Sequence, residues 1–182
     1  MTRRAAVFVD RDDTLMRDVP YCSRPEDVTL LPAAAQAVRR WNEAGLPVFL
    51  VTNQSGLARG YFDRPTLERV HERLRELLGK EGARLDALYV CPHAPADACP
   101  CRKPEPGMVE QAAREHGIDP RQSVVVGDRM LDVLLAKRVG ARAVIVPSER
   151  GRAELALAGP QEQPDFVAPS LAEAAEWVLR RR

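Results

Sequence analysis

Three times along this chain a short, continuously apolar run breaks into a polar turn, and an amphipathic stretch of helical period follows. Residues 5–9 deliver Asp10-Arg11-Asp12-Asp13-Thr14, residues 46–51 run into Thr52-Asn53-Gln54-Ser55-Gly56, and residues 123–126 run into Gly127-Asp128-Arg129. Residues 143–146 form a fourth apolar run. Helices are predicted over 33–44, 65–78, 106–116, 130–139 and 171–179, with Pro32, Pro65 and Pro106 as starters and Gly45, Gly79, Gly117 and Gly140 as stops. Strand–helix alternation of this kind predicts a three-layer, Rossmann-like α/β fold, a mostly parallel sheet with helices on both faces. In open sheets of that type ligands sit beyond the carboxyl ends of the strands. Asp10, Thr52 and Asp128 all fall there.

At 182 residues the chain is expected to be one domain spanning 1–182, with no internal repeat. Residues 147–169, punctuated by Pro147, Pro160, Pro164 and Pro169, read as a loosely structured connection holding one short helix near 149–158. Lysine and arginine number 27 against 26 acids, so no broad field favours nucleic acid or an anionic membrane. Any phosphate affinity must be local. The apolar run after Arg3-Arg4 is too short for a signal peptide or a membrane span, and a cytoplasmic monomer is expected.

Three of the four cysteines, Cys91, Cys99 and Cys101, fall within eleven residues beside His93. Three thiolates and an imidazole complete a tetrahedral set with no position left for water, which is the composition of a structural zinc site. Such an ion would brace a loop, residues 91–103, that runs directly into Arg102 and Lys103. Cys22 reads as an ordinary free thiol.

Asp10 and Asp12 alone are a weak signal, since an acidic turn or a helix cap has the same appearance. Their order with Thr52, with Lys103 in Cys101-Arg102-Lys103-Pro104, and with Gly127-Asp128-Arg129-Met130-Leu131-Asp132 carries more. These four segments resemble the haloacid dehalogenase (HAD) superfamily, over about residues 5–146. More narrowly, Asp10 to Leu15, Thr52 to Gly56 and Cys101 to Pro104 are similar to its branch of heptose bisphosphate and histidinol-phosphate phosphatases, which carries a zinc loop at this point and lacks a large cap domain.

The resemblance implies a Mg²⁺-dependent phosphomonoester hydrolase. Asp10 would be the nucleophile, and an aspartate suits that role because it is ionised without a base to strip its proton. Asp12 would protonate the leaving oxygen and then accept a proton from water. Thr52 would hydrogen-bond the transferring phosphoryl group, and Lys103 would offset its charge. Mg²⁺ would be held by Asp10, the carbonyl of Asp12 and Asp128. Asp132, one helical turn beyond Asp128, could orient Lys103 or a metal-bound water, or be a plain helix-surface acid. Substrate contacts are expected from Asn53, Gln54, Ser55, Arg59, Arg102, Asp18 and Tyr21, with Arg102 and Arg59 suited to a second phosphate. Where the family carries glycine this chain has Asp13, which implies a positive φ with strain of about a kilocalorie per mole.

The Thr52 to Phe62 segment looks like the heptose bisphosphate enzymes, whereas the short zinc loop and Gly127-Asp128-Arg129 look more like those acting on histidinol phosphate. A sugar bisphosphate is the favoured substrate and histidinol phosphate the alternative. A DNA 3′-phosphatase would need a basic, aromatic groove. A non-catalytic, zinc-stapled phosphate-binding module is the alternative of another class.

Overall fold

The computed structural model describes residues 4–181. Its strands are β1 (Val7–Val9), β2 (Val48–Asn53), β3 (Ala87–Cys91), β4 (Val124–Gly127), β5 (Arg142–Ile145) and β6 (Phe166–Val167). They form one parallel sheet in the order β3-β2-β1-β4-β5-β6. The helices are α1 (Ala34–Glu43), α2 (Arg64–Lys80), α3 (Gly107–His116), α4 (Met130–Val139), α5 (Glu149–Leu157) and α6 (Leu171–Arg180).

Alternation along the strands distributes the core into two layers. Val7, Val9, Leu50 and Val126 pack against Trp41 of α1, Leu74 and Leu78 of α2 and Ala175 of α6. Phe8, Phe49, Val51 and Val125 face the other way, onto Met108 and Val109 of α3 and Val133 and Leu135 of α4. Burial on both faces is why these strands read as unbroken apolar runs.

The register puts Val7 beside both Val48 and Val124, so β1 lies between β2 and β4. The chain moves outward from β1 through β2 to β3, then returns to lay β4 on the opposite side of β1. That reversal opens a crevice at the carboxyl ends of β1 and β4. Asp10 and Asp128 are the residues that follow those two strands.

Two connections flank this crevice. Residues 10–33 hold one 3₁₀ turn, Pro25–Asp27, and isolated bridges of Met16 with Asp12 and with Leu30. Residues 92–106 hold another, Pro95–Asp97. Among the described residues neither builds a core of its own, so no large cap stands over the strand ends. Among the described residues no helix is long and apolar enough to cross a membrane.

The sequence pattern differs from the structure at three places. Gly79 does not stop α2, which continues to Lys80 because Leu74 and Leu78 bury its far end; a lone glycine costs a helix only about 1 kcal/mol. β3, formed by the apolar run Ala87-Leu88-Tyr89-Val90-Cys91, adds an edge strand that the sequence pattern leaves out, with partial and full burial alternating over its last four residues. The connection over 147–169 holds the expected short helix, α5, and in addition the two-residue edge strand β6.

Candidate active site

A cleft of about 280 Å³ lies at the crevice, lined by Asp10, Asp12, Asp13, Asp18, Thr52, Asn53, Arg102, Lys103, Asp128, Arg129, Leu131, Ser148 and Arg150. At its floor Lys103 Nζ lies 2.7 Å from Asp10 Oδ1 and 2.7 Å from Asp132 Oδ1. Lys103 is 3% exposed, Asp132 1% and Asp128 3%. Burial opposes the ammonium, yet Asp10 and Asp132 outweigh it and hold Lys103 above the ordinary lysine range.

The loop carrying Lys103 is fastened from two sides. Asn53, at the end of β2, donates its Nδ2 to the Lys103 carbonyl and accepts from the Lys103 amide at 3.1 and 3.0 Å. Arg102 donates Nη1 to the His93 carbonyl at 3.0 Å, tying the lysine's neighbour to the cysteine loop. Asp132, in the first turn of α4, fits under the lysine because residue 127 is glycine: a Cβ there would collide with the Asp132 carboxylate.

Three buried carboxylates, Asp10, Asp128 and Asp132, confront one ammonium. Burial pushes Asp10 from 3.8 up to about 8, with Lys103 opposing and Asp132, Asp12 and Asp128 adding repulsion. Burial likewise lifts Asp128 to about 7, against a hydrogen bond from Ser148 and with further repulsion from Asp132. The oxygens of the three acids lie within 4.8 Å of one another. An octahedral Mg²⁺ at about 2.1 Å spaces its oxygen ligands by about 3.0 to 4.2 Å. Asp132 already accepts from Lys103 and from the Arg129 amide. Asp10 and Asp128 could hold a hard divalent cation, which would offset the charge excess.

Asp13 has φ 52°, the left-handed conformation expected of a position suited to glycine. Its Oδ1 accepts from the Asp18 amide at 3.0 Å, so the side chain caps the turn it strains.

The cysteine loop brings its four expected ligands together. Cys91 Sγ lies 3.6 Å from Cys99 Sγ and 3.6 Å from His93 Nδ1; Cys99 Sγ lies 3.5 Å from Cys101 Sγ, and Cys101 Sγ 3.3 Å from His93 Nδ1. Sulfur atoms this far apart are not disulfide-bonded. A tetrahedral zinc with Zn–S of about 2.3 Å separates its ligand atoms by about 3.5 to 3.8 Å. The residues fit that ion.

Of the substrate contacts expected from sequence, Asp18, Asn53 and Arg102 line the cleft, whereas Gln54, Ser55, Arg59 and Tyr21 do not. Gln54 lies behind it, 5% exposed, with Nε2 donating to Thr52 Oγ1 at 2.8 Å and to Asp12 Oδ2 at 3.0 Å. Tyr21 is exposed and meets Tyr61 edge to face. Arg129, Ser148 and Arg150 were not singled out from sequence. Ser148 is the third residue after β5, and its place just beyond a strand end is the available signal. Arg129 is paired with Glu154, and Arg150 Nε lies 3.3 Å from the same Glu154 carboxylate.

The family model described as HAD-hydrolase-like matches residues 100–174. Two curated relatives cover nearly the whole chain. The D-glycero-D-manno-heptose-1,7-bisphosphate 7-phosphatase of Thermosynechococcus vestitus is 41% identical over 96% of this chain and 95% of its own. The D-glycero-beta-D-manno-heptose-1,7-bisphosphate 7-phosphatase of Bordetella bronchiseptica is 38% identical over 96% and 97%. A crystal structure of the D,D-heptose 1,7-bisphosphate phosphatase of B. bronchiseptica, complexed with magnesium and phosphate, superposes with a TM-score of 0.89 at 37% identity, covering 98% of this chain and 99% of that one. The chain is thus a phosphatase and belongs to the HAD-like hydrolases, in the family of the D-glycero-D-manno-heptose-1,7-bisphosphate 7-phosphatases.

Proposed function

We propose that the cleft removes the 7-phosphate of D-glycero-D-manno-heptose 1,7-bisphosphate through a phosphoryl-aspartate on Asp10. The supporting observation is the placement of the Asp10 carboxylate at the cleft floor, against a buried lysine, with the second carboxylate of Asp12 on the same wall.

In the first step an Asp10 oxygen attacks phosphorus while the bond from phosphorus to the sugar oxygen breaks. Asp12 gives that oxygen its proton, so the sugar leaves as an alcohol. In the second step water attacks the acyl phosphate, Asp12 takes the water's proton, and inorganic phosphate departs. Attack brings an anion to an anion, and a cation fixed beforehand at Lys103 lowers that cost. Thr52 accepts from Gln54 at its hydroxyl oxygen, which leaves its own proton free to be donated to a phosphoryl oxygen.

Mg²⁺ would be held by Asp10, Asp128 and the Asp12 carbonyl, where it supplies charge that favours the ionised forms of two acids lifted by burial. Zn²⁺ would be held by Cys91, His93, Cys99 and Cys101 and brace the path to Lys103. A cytoplasmic setting, where thiols stay reduced, suits the free cysteines.

Removal of the zinc tests this bracing. Stripping both metals and returning Mg²⁺ alone is expected to leave turnover at least about tenfold low, and Zn²⁺ with Mg²⁺ to restore it. Full recovery on Mg²⁺ alone would detach the loop from Lys103.

The distal phosphate of a bisphosphate needs a cation outside the acidic floor, and Arg102 lines the cleft with its guanidinium already anchored on the zinc loop. Comparison of kcat/KM for the heptose bisphosphate, histidinol phosphate and 4-nitrophenyl phosphate tests the substrate assignment. The heptose ester is expected to lead, and Arg102→Ala is expected to lower its kcat/KM about ten- to a hundredfold while costing the monophosphates less. A lead for histidinol phosphate would contradict the assignment.

A further inference from the structure

Arg11, flanked by two acids in sequence, is among the largest fully buried side chains of the protein, 1% exposed. A buried guanidinium has five donors and no way to lose its charge, so its surroundings must accept from it. They do so in a definite order. Nε lies 2.9 Å from Asp12 Oδ1, with Nη2 also 2.9 Å from that oxygen, and Nη2 donates to Gln54 Oε1 at 3.1 Å. Nη1 faces His71 Nε2 at 3.3 Å. Because arginine only donates, His71 must accept at Nε2, which places its proton on Nδ1 and keeps the ring neutral. Burial, reinforced by Arg11 and Arg75, lowers His71 to about 3, in agreement with that form.

His71 reaches this position from α2. The helix buries Leu67, Val70, Leu74 and Leu78, and His71, one residue after Val70, extends the same stripe to 1% exposure. The network then closes on one carboxylate: Arg11 engages Asp12 Oδ1, and Gln54 Nε2 engages Oδ2 at 3.0 Å. A carboxylate has about four lone-pair positions, so Asp12 keeps capacity for a proton facing the cleft while its plane is fixed from behind.

We propose that His71 is a positioning residue for proton transfer: by holding Arg11, it orients the Asp12 carboxylate toward the departing ester oxygen. This rests on Asp12 being the acid and base of the reaction. Its effect should then depend on the leaving group. A sugar alkoxide needs a proton to depart, whereas 4-nitrophenolate does not, and kcat/KM covers only the steps through that departure.

The test compares kcat/KM for the heptose bisphosphate and for 4-nitrophenyl phosphate in His71→Leu, which removes the acceptor, His71→Gln, which retains one, and Asp12→Asn. His71→Leu is expected to lose at least about tenfold on the sugar ester and less than about threefold on the aryl ester, with His71→Gln close to the parent on both. Asp12→Asn is expected to show the same selectivity, more strongly. Should His71→Leu fail to fold, Arg11→Lys, which keeps the charge and loses the fork, is read in the same way. Equal losses on the two esters in the His71 or Arg11 variant, with Asp12→Asn still selective, would overturn the positioning role alone. Equal losses in Asp12→Asn would overturn the acid–base assignment and this inference with it.

Discussion

Asp10→Asn is expected to lower kcat on the preferred ester at least about 10⁴-fold, the scale on which removal of a covalent nucleophile acts. The amide is nearly isosteric and cannot attack phosphorus. Its effect on stability should have the opposite sign from its effect on activity. Burial and three neighbouring carboxylates penalise the ionised form of Asp10, and the neutral side chain removes that penalty while its oxygen can still accept from Lys103. In the absence of Mg²⁺ the variant should melt at or above the temperature of the parent. An inactive protein of intact stability locates the loss in chemistry. A variant that unfolds instead would place Asp10 in the framework of the site.

Lys103→Met should show the reverse pairing. Turnover is expected to fall about 10²- to 10³-fold because a preorganised cation beside the transferring group is gone. Stability should fall as well, by about 3–5 kcal/mol, since two buried carboxylates lose the ammonium that lies 2.7 Å from each. Lys103→Arg is not expected to rescue either property: the planar fork does not fit between oxygens arranged around a compact ammonium. Adding Asp132→Asn to Lys103→Met removes one of the stranded charges. The double variant should regain stability without regaining turnover, measured by thermal melting and by kcat on the same sample. Joint recovery would assign Lys103 a purely structural role.

The residues that sequence made legible are those fixed by strand ends. Asp10 and Asp128 had to lie close together once β1 and β4 became neighbours, and the apolar runs leading into them announced both strands. The cysteine loop was legible from spacing, because its four candidate ligands come from eleven consecutive residues. What stayed hidden depends on contacts between distant segments. A lone histidine at helical spacing reads as surface or packing, and nothing local to α2 shows that His71 closes on Arg11 from sixty residues away. Nothing local to the Asp10 to Asp13 turn shows that Arg11 lies buried under the site. Asn53 and Gln54 follow the same rule. Asn53 lines the cleft and also fastens the Lys103 backbone, whereas the Gln54 amide lies behind the cleft and fastens the Asp12 carboxylate.

The covalent step itself is open to direct capture. Enzyme mixed with the heptose bisphosphate and Mg²⁺, quenched in acid during turnover and reduced with borohydride, should carry homoserine in place of aspartate at position 10, read by mass spectrometry of the peptide. Neither substrate-free enzyme nor the Asp10→Asn variant should show it. Homoserine at another acid, or turnover of Asp10→Asn at the parental rate, would contradict nucleophilic attack by Asp10.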